Sequence, residues 1–223
     1  MSSSDSNVFR NAVTNVSTIQ HSKIPLSPDI FSPYSVLMSF FSYEKEGDTF
    51  IWLKQIVENH RSKLDDINLS GIKLNNTFMP HGNFEKSDLW DSNFTKSAIL
   101  YCNFKNTNLR VARFDGAIGH GANFSESKLE KTNFNSAYLP QSFFQKIDAD
   151  QASFKNSLLV QANFNEAKLA GVDFSNASLV GAFFRNAIFN HVNFKDTLLV
   201  GADFSGSNIK FEDLIEAKSL YAT

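Results

Sequence analysis

From Leu64 to Leu214 every fifth residue of the chain is large and apolar, with no insertion or deletion in the register. Of these 31 centres, 14 are Phe and 14 are Leu or Ile; only Met79, Gly119 and Ala149 differ. A second regular position lies two residues before each centre. It is Ala, Ser, Thr, Cys, Val or Gly in 27 of the 31 cases, as at Ala112, Ala122 and Ala182. A helix repeats at 3.6 and a strand at 2, so a period of five fits neither as a continuous element. It fits short extended segments joined by corners. Positions −2 and 0 then point inward and positions −1 and +1 outward. Such a chain winds as a solenoid, each coil stacking on the last.

The outward positions set the length of the coil. Around centres 79, 99, 119, 139, 159, 179 and 199 the flanking pairs are mostly apolar. Ten residues away they are mostly polar, as at Asn68/Ser70, Asn108/Arg110 and Asp148/Asp150. Outward character therefore recurs every 20 residues, which is four pentads per coil and a four-sided tube.

The motif A-[N/D]-[L/F]-x-x, as in Ala122-Asn-Phe-Ser-Glu, Ala162-Asn-Phe-Asn-Glu and Ala202-Asp-Phe-Ser-Gly, resembles the pentapeptide-repeat family over residues 62–216. The resemblance implies an all-β solenoid, a right-handed quadrilateral β-helix of nearly eight coils. At ~4.8 Å per coil it would form a rod roughly 35 Å long. With four faces, Phe centres are expected on one opposite pair and Leu centres on the other.

Outside the repeat the pattern changes. Residues 1–30 are rich in Ser, Asn and Thr and read as a mobile polar arm. Residues 31–62 read as an N-terminal helical cap. Ser32-Pro33 starts a helix carrying Leu37, Met38 and Phe41, and Asp48 caps a second with Leu53, Ile56 and Val57. An open β-helix end needs such a cover. The repeat is expected over 63–216, and 217–223 form a C-terminal tail. There Leu214, Ala217 and Tyr221 fit a short closing helix, with a dimer contact as the alternative. Two centres break the rule. Ala149 is offset by Ile147 at its −2 position. Gly119 follows a small Ala117, so a bulge or kink is expected at 117–121, with Ile118 free to turn inward or His120 presented on a loop.

Composition narrows the function. The chain has 223 residues, with 21 Lys and Arg against 23 Asp and Glu, a net of −2. That balance argues against direct nucleic-acid binding. The apolar patches at Val36–Phe41 and Phe50–Val57 are far short of the ~20 residues that span a bilayer, so no membrane span is expected. The first residues lack the basic and apolar regions of a Sec signal. Cys102, the single cysteine, sits at an inward −2 position and reads as a core filler. The five histidines have no metal-ligand spacing, and no paired carboxylates stand out. No catalytic residue, cofactor or metal is expected.

The strongest functional signal is the apolar outward stripe. Its candidate interaction residues are Phe78, Leu100, Ile118, His120, Tyr138, Leu158, Val160, Val180, Leu198 and Val200. A partner protein or a homodimer could meet it, or residues 1–45 could fold back over it. The leading expectation is a non-catalytic protein-binding scaffold in the bacterial cytoplasm. One alternative is an effector whose N-terminal region is an export signal into a host cell. The other comes from the resemblance, since some pentapeptide-repeat proteins protect DNA gyrase by mimicking DNA. Mimicry needs dense negative charge. Residues 64–223 hold 15 Lys and Arg against 17 Asp and Glu.

Overall fold

The computed structural model describes residues 58–218. The expected arm at 1–30, nearly all of the helical cap and Tyr221 lie outside them. Within them the backbone winds as a parallel β-helix. Each rung is one residue, joined by a single bridge to the residue 20 positions on, as in Asn83↔Asn103↔Asn123. Four such ladders run along the molecule, starting at Asn68, Lys73, Phe78 and Asn83. Each has seven rungs, the last at Ile188, Asn193, Leu198 and Asp203. Only at Lys168–Ala170 (β1) and Ile188–Asn190 (β2) do the bridges lengthen into paired parallel strands.

The pentad is the hydrogen-bonding unit as well as the packing unit. A residue just before a centre donates its N–H down to the previous coil, as Asn103 does to the Gly82 carbonyl at 2.7 Å. The centre itself donates up to the next coil, as Phe104 does to the Asn123 carbonyl at 2.7 Å. The corner closes when Ala112 donates to Leu109 O at 3.0 Å. Turning there requires a left-handed residue two positions after the centre. Every fifth residue from Asp66 to Gly206 has φ between 51° and 72°. Most of these corner residues are not glycine. They hold a sterically poor conformation because the ladder also binds their N–H, as Val111 N donates to Glu130 O at 2.9 Å.

The core is two facing columns of phenylalanine with aliphatic columns between them. Rings one coil apart stack, as in Phe124–Phe144 at 5.0 Å and 4°. Rings from opposite columns meet edge to face, as in Phe134–Phe144 at 5.8 Å and 87°. Both are favoured geometries of the aromatic quadrupole. The exception is Phe189, which occupies a Leu position and meets Phe184 and Phe194 at tilted angles of 52° and 54°.

Many inward Ser and Thr at −2 donate to the coil below, while Ser127 and Ser157 donate within their own corner, to Phe124 O and Phe154 O. Thr107 donates its hydroxyl to Phe84 O at 2.8 Å, and Thr132 donates to Leu109 O at 2.7 Å. Cys102 follows the same geometry, with Sγ 2.8 Å from Met79 O. Burial pushes its thiol up to about 12, against the hydrogen bond from the Gly82 backbone. It is therefore a buried filler and a poor nucleophile.

The bulge expected at 117–121 is absent. Ile118 bridges Ala98 and Tyr138 in unbroken register and points outward, and Gly119 faces the core. The space that a side chain at 119 would take is filled from the neighbouring coils. A Cβ there would lie 2.7 Å from Leu139 and 2.9 Å from Ile99. The missing volume is supplied along the column, so the backbone has no reason to deform. Ile147 and Ala149 are both fully buried, which is the exchange of volumes expected there.

The ends of the ladder are closed by side chains and by flanking backbone. At the start, the Glu58 carboxylate accepts the Phe78 N–H at 2.8 Å, and Arg61 O accepts Asn83 N–H at 2.6 Å. At the far end Asn208 imitates a peptide group. Its Oδ1 accepts Phe189 N–H at 2.7 Å while its Nδ2 donates to Phe189 O at 2.9 Å. The sequence register runs on to Leu214, but bridging stops at Asp203, and Leu214 sits on a 3-10 turn at Phe211–Leu214. Leu214 and Ala217 pack against the last coil.

Candidate functional site

The ladder from Phe78 to Leu198 defines one flat face, and all ten predicted stripe residues lie on it. Phe78 (62% exposed), Ile118 and Tyr138 (48% each), Leu198 and Val200 stand out into solvent. Leu100, His120, Leu158, Val160 and Val180 are half-buried between them. Strand alternation produces this directly, since each centre on the face is inward and its two neighbours must be outward.

Three features of the surface escape a reading confined to the 78–200 stripe. The first is the corner. Tyr101 is 50% exposed there, stacks on His81 at 5.3 Å and meets His120 edge-on at 5.3 Å. Its ring lies over Gly121, within 2.7 Å of where a Cβ would stand. The second is the adjoining face, where Phe143 and Phe183 are exposed. The doublets Phe143-Phe144 and Phe183-Phe184 carry the signal, because only one of two neighbours can point inward. The third is charge. The segments 78–81, 98–101, 118–121, 138–141, 158–161, 178–181 and 198–201 contain no Asp, Glu, Lys or Arg. One face and its corner are therefore free of formal charge through all seven rungs.

The opposite face, on the ladder from Asn68, carries Asp88, Arg110, Lys128, Glu130, Asp148 and Lys168. Arg110 grips Glu130 of the next coil through two hydrogen bonds, and that guanidinium holds the Glu130 carboxyl below its ordinary range. Other charges also pair between coils, as in Lys105–Glu126 at 3.3 Å and Lys155–Asp173 at 3.0 Å. Asp203 is held down to about 2 by hydrogen bonds from Ser205 and Arg185. Among the described residues no cluster of His, Cys, Asp or Glu could hold a metal ion. No described helix is long and apolar enough to cross a membrane.

A family described as pentapeptide repeat region matches residues 117–186 and, overlapping them, 132–204. Solved structures similar to the chain include a pentapeptide repeat protein from the Arabidopsis thaliana thylakoid lumen, at 25% identity. That match covers 43% of this chain and 70% of the other, with a TM-score of 0.40. HetL of the cyanobacterium Nostoc, a pentapeptide repeat protein involved in heterocyst differentiation regulation, is similar at 20% identity. It covers 65% and 86% of the two chains, with a TM-score of 0.26. Full-length QnrB1, a plasmid-mediated fluoroquinolone resistance protein, is similar at 15% identity over 70% and 90%, with a TM-score of 0.38. At these scores the superpositions assign no residue of this chain a role. No curated protein sequence matches the chain.

Proposed function

We propose, from the premise that this chain belongs to the pentapeptide-repeat family, that it is a non-catalytic protein-binding scaffold whose contact surface is the 78–200 face. The same reading takes the coil as right-handed and nearly eight turns long, with residues 31–62 as its helical cap. The observation that carries the function is the charge-free apolar face on a rod whose opposite side is laced with charge. Contiguous apolar surface on this scale marks interaction sites. A solenoid presents such a surface rigidly, so little ordering entropy is lost on binding.

The test is the double variant Leu158→Glu/Leu198→Glu. Both side chains point outward, so unfolding should shift by no more than ~0.5 kcal/mol per site, while the interaction is lost. If the variant keeps the wild-type oligomeric mass and captures the same partners, the face is not the interface.

The DNA-mimicking alternative has less support. Inter-coil pairs such as Arg110–Glu130 and Lys155–Asp173 neutralise carboxylates that a phosphate mimic would need free. A supercoiling assay with gyrase, quinolone and stoichiometric excess of this protein decides it. We place the protein in the bacterial cytoplasm. Export of a reporter fused to residues 1–30 would replace that placement with the effector reading.

A further inference from the structure

We propose that the partner on this face is a second copy of the chain, laid antiparallel across a two-fold axis at Tyr138; this rests on the reading that the face is the contact surface.

The relief of the face points to that arrangement. Along its corner the first rungs are bulky and the last are bare. His81 and Tyr101 project there, stacked on each other. In the same column Gly181 and Gly201 leave open space: a Cβ at Gly201 would meet nothing within 4 Å, and one at Gly181 only Gln161, at 3.4 Å. The corner backbone does not require glycine at those two positions. Tyr101, Gln141 and Gln161 take the same left-handed conformation in that column, with φ of 56°, 56° and 57°.

A two-fold axis in the plane of the face and perpendicular to the rod preserves the lateral position and reverses the order of rungs. With the axis at Tyr138, the middle of seven rungs, Tyr101 meets Gly181 of the second copy and His81 meets its Gly201. Ile118 meets Leu158, and Tyr138 meets itself. Every rung is then paired. A parallel arrangement would set the aromatic ends against each other and leave a gap at the glycines.

Charge and size fit as well. A self-complementary contact tolerates no unpaired charge at its centre, and the strip has none. Seven rungs at ~4.8 Å and four residues at ~3.3 Å give a flat outline of roughly 450 Å². The two copies together cover about 900 Å² of flat outline, near the ~1,000 Å² that a specific interface clears.

The test uses the full chain. Light scattering of the purified protein should give twice its 25.0 kDa mass, falling to one chain in Leu158→Glu/Leu198→Glu while circular dichroism stays unchanged and unfolding remains cooperative, its midpoint lowered only by the lost association. A bismaleimide reagent spanning the ~10 Å between packed faces should crosslink Tyr138→Cys to its own mate. Leu198→Cys alone should not crosslink, because its mate lies six rungs away, ~29 Å. The pair Phe78→Cys/Leu198→Cys should. Cys102 is buried and does not compete. A monomeric wild type overturns the dimer; if it also captures a protein that the Glu variant loses, the scaffold reading stands without it. Crosslinking of Leu198→Cys but not Tyr138→Cys overturns the antiparallel arrangement. A dimer that persists in the Glu variant overturns both the dimer contact and the scaffold face.

Discussion

The phenylalanine columns inside the rod and the apolar face outside it are built from the same pentads, yet they obey opposite rules. Inside, one ring type recurs every ten residues, and each ring finds identical neighbours one coil above and below. Outside, successive rungs differ: Phe78, Ala98, Ile118, Tyr138, Leu158, Ser178 and Leu198 occupy a single ladder. Repetition is what a column needs, because stacking complementarity is local and identical at every step. Variation along a ladder cannot serve the column, since those side chains do not touch it. It gives the face a relief, beside a corner column that runs from His81 and Tyr101 at one end to Gly181 and Gly201 at the other. The inside therefore specifies the fold, and the outside is left to specify a contact.

The sharpest way to break this division is to cut the column. Phe134→Ala removes a ring that stacks on Phe114 and Phe154 and meets Phe124 and Phe144 edge-on. The neighbouring coils are tied by ladder bonds and cannot collapse into the gap. A loss of about 3–5 kcal/mol is expected in denaturant unfolding, with native oligomeric mass unchanged. A change in mass without loss of stability would mean that the core also shapes the contact. Next in size is Gly119→Leu. It restores the expected large centre but drives its Cβ into Leu139 and Ile99. Overpacking should cost about 1–3 kcal/mol, although the sequence rule alone would call the change favourable.

That case shows what was legible in the chain and what was not. The centres, the −2 positions and the facing Phe columns follow from period and alternation, because those rules act within one pentad. Gly119 misled because its compensation comes from residues 20 positions away on either side, and a local reading of three nearby glycines points to a kink instead. The outward direction of the stripe was legible for the same reason as the core. Tyr101 was not, because the corner position has no hydrophobic signature: it is set by a positive φ that this chain assigns to residues as different as Lys, Asn, Gln and Val. Such positions become visible only when the backbone is traced. Val111 is the clearest of them, a β-branched residue at φ 62° in an exposed corner. Val111→Gly should raise stability by about 1 kcal/mol, read from the shift of the unfolding midpoint. No gain would mean that the corner stores no strain and that the ladder dictates its shape without cost.

The smallest effect tests whether the inside is as uniform in its polar positions as in its rings. Cys102 occupies a −2 site, the position at which several other pentads place a Ser or Thr that donates to a carbonyl of the previous coil. Ser142 donates to Gly119 O at 2.9 Å and Thr197 to Phe174 O at 2.8 Å, spanning the same 23 residues as Cys102 to Met79. The acceptor is a feature of the coil and not of the sulfur. Cys102→Ser should therefore keep its hydrogen bond and change stability by less than about 1 kcal/mol. Cys102→Ala leaves the Met79 carbonyl without that donor, and should cost more than the serine despite being smaller and more apolar. The thiol itself should resist iodoacetamide at pH 8 in the folded protein and react once it is unfolded, since burial holds it protonated. If alanine proves better than serine, the −2 column is selected for volume alone, and its regular hydroxyls are incidental to the fold.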